Sequence, residues 1–230
     1  VALKTTKKIA VSGSHGVGKT TLVKAILYFL KKDGYIVDEV TEVAREARRK
    51  GFSLNELATY DTQMWIVHRQ ICRELEEIQD NPDFLVCDRS IMDNCAYTHY
   101  LKLQKIITKE QLKSIIRIMK WWIPTYDTIF LVSPIPRTRI EDDGVRSTDK
   151  KFQWRIHNIL QRYVKNFNKN LNKDCKLVKF VHTDGSHEKR MQIIEKELEK
   201  LGEFRRISKR KRSKNDETSK KTISSISRRI

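Results

Sequence analysis

No stretch of this 230-residue chain approaches the roughly 20 apolar residues that a membrane-crossing helix needs. Apolar residues make up 39% and charged ones 33%, so the chain reads as soluble rather than membranous. Paired cysteines are also missing. Cys72, Cys87, Cys95 and Cys175 stand far apart with no C-x-x-C spacing, which argues against a disulfide framework or a zinc site. The opening "VALKTTKK" leads straight into a strand pattern, without the apolar region or cleavage site of a secretory leader. The expectation is an intracellular, cytoplasmic protein with no membrane partner. Internal repeats are absent as well.

Acidic residues are comparatively scarce: 29 against 47 basic ones, a formal charge of +18. The imbalance is concentrated. From Arg205 onward, "RRISKRKRSKNDETSKKTISSISRRI" carries about half of the net charge and few apolar residues, too few to fold alone. It reads as a disordered tail: a solubilising extension, a nucleic-acid contact, or a nuclear address through "KRKR". The domain expectation is one globular unit over 1–204, with a lid loop at about 133–150, followed by the tail over 205–230.

Within the body, short apolar runs alternate with helical patterns. Strands are predicted at Ile9–Ser12, "YIVDEV", "FLVCD", "TIFLV" from about Asp127, and "KLVKFV". Helices are predicted at Gly18–Lys32, from Val43 to Gly51, and from Leu54 to about Gln79 with Ser53 as cap and a break near Tyr60-Asp61. Further helices are expected at Ser90–Leu103, Lys109–Trp122, Lys150 to about Leu171, and a last one ending near Leu201. Continuous apolar strands interleaved with helices argue for a three-layer α/β/α fold with a mainly parallel five-stranded sheet. In such sheets ligands sit at the carboxyl ends of the strands, where the polar clusters of this chain fall.

The octapeptide "GSHGVGKT" follows the first strand and opens the first helix. Its G-x-x-x-x-G-K-T spacing is that of a phosphate-binding loop. Gly13, Gly16 and Gly18 let backbone N–H groups curl into an anion nest, and the helix adds its positive end. Ser14, His15, Val17 and Thr21 complete the loop, with His15 taken as a spacer. Lys19 would reach the β- and γ-phosphates, and Thr20 would ligate Mg²⁺. The cofactor expectation is ATP, with GTP as the alternative, together with Mg²⁺.

Other clusters bear on the fate of the phosphate. Asp88, at the tip of "FLVCD", could hold Mg²⁺ or take a proton, or could simply cap the following helix. Arg89 puts a cation into the same cleft. Glu42 ends the second strand, where a kinase would place the group that orients its nucleophile; a solvated first-turn glutamate is the plain alternative. Arg45, one turn on, could meet an anionic acceptor or pair with Glu42. In "PRTRIEDDGVRS", Arg137, Arg139 and Arg146 surround Glu141, Asp142 and Asp143, a pattern suited to a lid that closes on phosphates, or to a self-paired surface loop. "VHTDGS" has a weaker claim to contact the base of the nucleotide. His68 reads as packed or partly exposed, and Trp121 and Trp122 as covering the sheet.

Taken together, "GSHGVGKT", "VTEVAREARRKG", "DTQMWIVHRQ", "CDRS" and "EDDGVRS" resemble the P-loop kinase-like, AAA-type ATP-binding family that includes the ribosylnicotinamide kinase domain of bifunctional bacterial NAD-biosynthesis regulators. The resemblance runs from about Lys7 to Leu201. "CDRS" is also similar to nucleoside and nucleotide kinases. The resemblance implies a triphosphate on Gly13–Thr20, with Glu42 as base or hydroxyl ligand beside Arg45 and Glu46. It further implies an acceptor side lined by Asp61, Gln63 and His68, Mg²⁺ at Asp88, and a lid with Asp143 and Arg146. The expected function is ATP-dependent phosphoryl transfer to a nucleoside- or nucleotide-like small molecule, with Lys19, Glu42, Asp88 and Arg146 as the catalytic set. The alternatives are a polynucleotide 5′-hydroxyl kinase tethered by the basic tail, and a nucleotide-binding switch or ATPase without a small-molecule acceptor.

Overall fold

The computed structural model describes residues 6–136, 140, 147–167, 169 and 178–202. Compactness divides the chain into Val1–Met191 and Gln192–Ile230. The first unit contains five strands: β1 (Lys7–Ser12), β2 (Val37–Val40), β3 (Phe84–Asp88), β4 (Thr128–Val132) and β5 (Lys179–Thr183). All four neighbouring pairs are parallel, in the order β2-β3-β1-β4-β5. Between them run α1 (Lys19–Lys32), α2 (Val43–Arg49), α3 (Tyr60–Glu77), α4 (Ile91–Leu103), α5 (Lys109–Trp122) and α6 (Lys150–Phe167). A last helix, α7, covers 187–202, so the described part of the second unit is helical.

The centre of the sheet, β3, β1 and β4, is buried on both faces because these strands are mostly apolar at successive positions, whereas the edge strands β2 and β5 are only partly buried. β3 and β4 are buried at all five residues. Alternation sorts them: Ala10, Leu85, Cys87, Ile129 and Leu131 join one core cluster with residues of α3, α4, α5 and α6. Their neighbours Ile9, Val11, Phe84, Val86 and Phe130 point to the opposite face by the period of a strand. There α1, which packs on β1, β2 and β3, buries Leu22, Val23, Ile26 and Leu30. Each such fully buried side chain contributes about 1.5–3 kcal/mol.

Several boundaries differ from the sequence reading. Ser53 caps no helix; a 3₁₀ turn at Asn55–Leu57 intervenes, and Thr59 caps α3. Asn55 sits at φ 57°, a left-handed conformation that breaks the expected run. β5 begins at Lys179 and extends to Thr183, later than "KLVKFV" suggested. Trp121 does not cover the sheet: it is 80% exposed, whereas Trp122 donates its indole N–H to the buried Glu74. The register places the strand tips that matter side by side. Val11 of β1 aligns with Asp88 of β3, Ser12 with Leu131 of β4, and Val40, two residues before Glu42, with Cys87.

Candidate active site

The phosphate loop springs from the carboxyl end of β1, between β3 and β4. Gly13 passes so close to β4 that a Cβ there would lie 2.5 Å from the Val132 carbonyl oxygen. Any side chain would push the loop off the sheet. Its N–H donates to Asp93 Oδ1 at 2.8 Å. Gly18, at φ 87°, is the N-cap of α1 and offers no side-chain cap, so the first-turn N–H groups stay available to an anion.

Lys19 is buried and folds back on the loop, donating to the carbonyls of Gly13 (2.9 Å) and Ser14 (2.7 Å). Burial, then the nearby Arg89 charge, lowers its pKa to about 8, against the pull of Asp93, Glu42 and Asp88. A polyphosphate would replace both weak acceptors with a full counter-charge. Thr20 Oγ1 donates to Asp88 Oδ2 at 2.6 Å, and Asp88 Oδ1 is left buried without a partner. Burial raises the Asp88 pKa most; the Lys19 charge opposes, Glu42 reinforces, and the Thr20 hydrogen bond and Arg89 oppose. An orphaned carboxylate oxygen beside a hydroxyl fits a hard cation such as Mg²⁺. Among the described residues no three His, Cys, Asp or Glu side chains form a metal cluster, so such a cation would draw its other ligands from phosphate and water.

Glu42 caps the space opposite. Its Oε1 accepts from Arg89 Nε (2.9 Å) and Nη2 (2.6 Å), and its Oε2 pairs with Arg45 Nε at 3.3 Å. Arg89 stands between the end of β3 and Ser90, the cap of α4, and makes the turn at φ 93°. A left-handed arginine costs on the order of 1–3 kcal/mol and persists only where its surroundings hold it. Here the Glu42 carboxylate, Asp93 at 3.8 Å and the Tyr97 ring at 5.7 Å do so. Burial works against the Arg89 charge, but Glu42 first, then Tyr97, Asp93 and Asp88, more than offset it, so its pKa rises further.

Two cavities meet at this pair. A small one lies over Gly16–Thr20, with Glu42 and Arg89 on its far side. A cleft of about 660 Å³, counting its open mouth, is lined by α3 and α4 residues such as Gln63, Gln70, Asn94 and Tyr97, and again by Glu42 and Arg89.

Of the residues expected from the sequence, the loop, Glu42, Arg45, Asp88 and Arg89 come together, and Gln63 lines the cleft. Thr21 is exposed on the first turn of α1. Asp61 is exposed in the first turn of α3 and is not part of the cleft wall. His68 is exposed, with Nδ1 on the Met64 carbonyl. Arg137, Arg139, Glu141, Asp142, Asp143 and Arg146 lie outside the described residues.

His15 is more than a spacer. It is buried, its ring stacks on Phe152 (5.0 Å between centroids, 27°), its Nδ1 lies 3.2 Å from Tyr97 Oη, and it forms part of the cleft wall. The sequence reading also missed Asp93, Asn94 and Tyr97, although their spacing after "CDRS" puts them near one face of α4. Glu74, buried on α3, accepts from Gln70, Tyr126 and Trp122 and pairs with Lys8 at 2.5 Å.

Among the described residues no helix is long and apolar enough to cross a membrane. No curated protein matches the chain. Among solved structures, the crystal structure of NadR protein in complex with NR matches with a TM-score of 0.59 at 23% identity, covering 79% of this chain and 46% of that one. The chain thus spans less than half the length of that protein, and the likeness is one of fold alone. A family model described as an AAA domain matches residues 8–176, which takes in β1 to β4, the phosphate loop, Glu42, Asp88 and Arg89, and the chain belongs to that AAA domain family.

Proposed function

We propose that the protein transfers the γ-phosphoryl group of ATP or GTP from Gly13–Thr20 to a nucleoside- or nucleotide-like small molecule held between α3 and α4. The observation that carries this reading is the sharing of Glu42 and Arg89 by the phosphate cavity and the cleft. A phosphoryl group on the loop and a hydroxyl in the cleft would meet there. A protein that only hydrolyses nucleotide has no need of a second cleft opening onto the γ-phosphate position.

Mg²⁺, held by Thr20 and Asp88 together with phosphate oxygens, supplies charge neutralisation on the phosphates when bound. Lys19 would leave the Gly13 and Ser14 carbonyls for the β- and γ-phosphates. The transition state of phosphoryl transfer is loose, so the nucleophile needs orientation more than early deprotonation. Glu42 suits that role: Arg89 and Arg45 fix its carboxylate in place, and it would accept a hydrogen bond from the acceptor hydroxyl. Glu42, held by both arginines, suits a neutral hydroxyl as acceptor, while Arg89 Nη1, buried without a hydrogen-bond partner, remains able to meet a phosphoryl oxygen. Arg89, fixed at the junction, would stabilise charge on the group in flight. The stretch 133–150, with Arg137, Arg139, Asp143 and Arg146, is proposed as the lid that excludes water. The fold shared with the NadR protein, crystallised with NR, and the resemblance to ribosylnicotinamide kinases support a nucleoside-like acceptor.

The test is a panel of nucleosides, nucleotides and 5′-hydroxyl oligonucleotides offered with γ-labelled ATP and Mg²⁺. The expected result is label on one nucleoside-like small molecule, lost in Lys19→Ala. Label confined to an oligonucleotide, or released only as inorganic phosphate, would overturn the proposal.

A further inference from the structure

The inner side of the phosphate loop is matched by an outer one. Gln153 of α6 donates its side-chain N–H to the His15 carbonyl at 2.7 Å. Arg190, in the first turn of α7, donates from Nη1 to the Val17 carbonyl (2.8 Å) and from Nη2 to the Ser133 carbonyl (2.7 Å) just past β4. Both side chains are buried, at 6% and 4% exposure. They lie 138 and 173 residues from the carbonyls they hold in the loop.

A trans peptide points its C=O and the next N–H in opposite directions. Holding the His15 carbonyl outward therefore aims the Gly16 N–H inward, and holding the Val17 carbonyl outward does the same for the Gly18 N–H. These are glycines at φ 67° and 87°, positions with no side chain of their own to fix the backbone. The Arg190 guanidinium has a second property. Among the described residues it makes no ion pair, its Nε is buried without a partner, and burial lowers its pKa, with only Asp184 acting in the other direction. A buried cation held by two neutral carbonyls is poorly compensated until an anion arrives nearby.

We infer that Gln153 and Arg190 are positioning residues for triphosphate binding: together they brace the outside of the phosphate loop so that Gly16 and Gly18 present their N–H groups to the phosphates, and Arg190 adds a buried positive charge behind them. The brace also joins the loop to Ser133, just past the end of β4. This inference rests on the triphosphate half of the proposed function and not on the acceptor.

The experiment uses the full chain with ATP and, separately, inorganic tripolyphosphate as probes. Calorimetry gives Kd for wild type, Arg190→Met, Arg190→Lys and Gln153→Met, and thermal melts of the free proteins report folding. Arg190→Met is expected to weaken both probes by about 10- to 100-fold, Gln153→Met by less, and Arg190→Lys to recover part of the loss by restoring charge to a single donor. KM for the acceptor should stay within about twofold in Arg190→Met, because Arg190 does not line the cleft. The amide resonances of Gly16 and Gly18 should shift in both Met variants before any ligand is added. If Arg190→Met does not fold, Gln153→Met and those resonances decide the matter. Wild-type affinity in a folded variant with a lower melting temperature would overturn the brace and leave a purely structural contact. Absence of ATP binding in the wild type would instead refute the functional proposal.

Discussion

Burial, reinforced by the neighbouring Glu42 carboxylate, opposes a charge on Asp88. Its raised pKa means that the folded state favours the protonated form, so the contribution to stability is full below the ordinary carboxylate range and is lost as pH rises through the folded pKa. Asp88→Asn should therefore raise the melting temperature of the nucleotide-free protein near pH 7 by about 2 °C. The same variant should lose Mg²⁺-dependent turnover by at least ~100-fold if the carboxylate holds the cation. Lys19 makes the converse case. With its pKa lowered to about 8 in the free protein, triphosphate affinity should be flat below pH 8 and fall by up to about tenfold per pH unit above it. Binding at pH 8.5–9 should then take up a proton, which titration in buffers of different ionisation heat would detect; no uptake would place the lysine away from the phosphates. Lys19, Thr20 and Asp88 were legible in the sequence because the loop is local and Asp88 ends an apolar strand. His15 was not, since its role comes from Phe152 and Tyr97, which only the fold brings to it.

The identities of β1, β3 and β4 follow from nearly unbroken apolar runs, so they could be read from local sequence, and β2 is marked by Val37 and Val40 around two acidic residues. The start of α3 could not be read in this way. Local sequence marks Ser53 as the cap in "SLNELATYD", but Asn55 adopts a left-handed conformation and Ala58 and Thr59 stay extended, which moves the cap to Thr59. Thr59 accepts from the Thr62 N–H, and its own N–H reaches the Thr62 hydroxyl at a long 3.4 Å. Thr59→Ala should cost about 1 kcal/mol in denaturant unfolding, and Ser53→Ala no more than about 0.5 kcal/mol. Equal effects would mean that the helix end is set elsewhere. This end matters because α3 carries Gln63 and Gln70 to the cleft wall. Asp61, one turn away in chemistry but on the outer side, shows why a residue type in the right segment does not establish a place in the site.

Across the sheet-bearing unit, the parallel order β2-β3-β1-β4-β5 sets the tips of β1, β2 and β3 side by side, and the candidate site is built on them. Beneath them, Lys8 on β1 and Glu74 on α3 form a buried ion pair, which Tyr126, Trp122 and Gln70 saturate with hydrogen bonds. Glu74→Gln would leave Lys8 charged and poorly compensated, and should destabilise the fold by about 3–5 kcal/mol. A loss below about 1 kcal/mol would show that solvent reaches the pair. No local pattern announces such a pair, because its partners lie on separate elements. The joining of phosphate loop and cleft into one reaction space through Glu42 and Arg89 is what the proposed transfer requires of the molecule. Its most direct test is the partition of the γ-phosphate between acceptor and water in single turnover, in the wild type and in Glu42→Gln, using the best acceptor from the panel. The account predicts that wild type delivers nearly all of the label to the acceptor and that Glu42→Gln slows this delivery by about 100-fold or more while still binding ATP. Label passing to water at the same rate with and without acceptor, in both proteins, would contradict it.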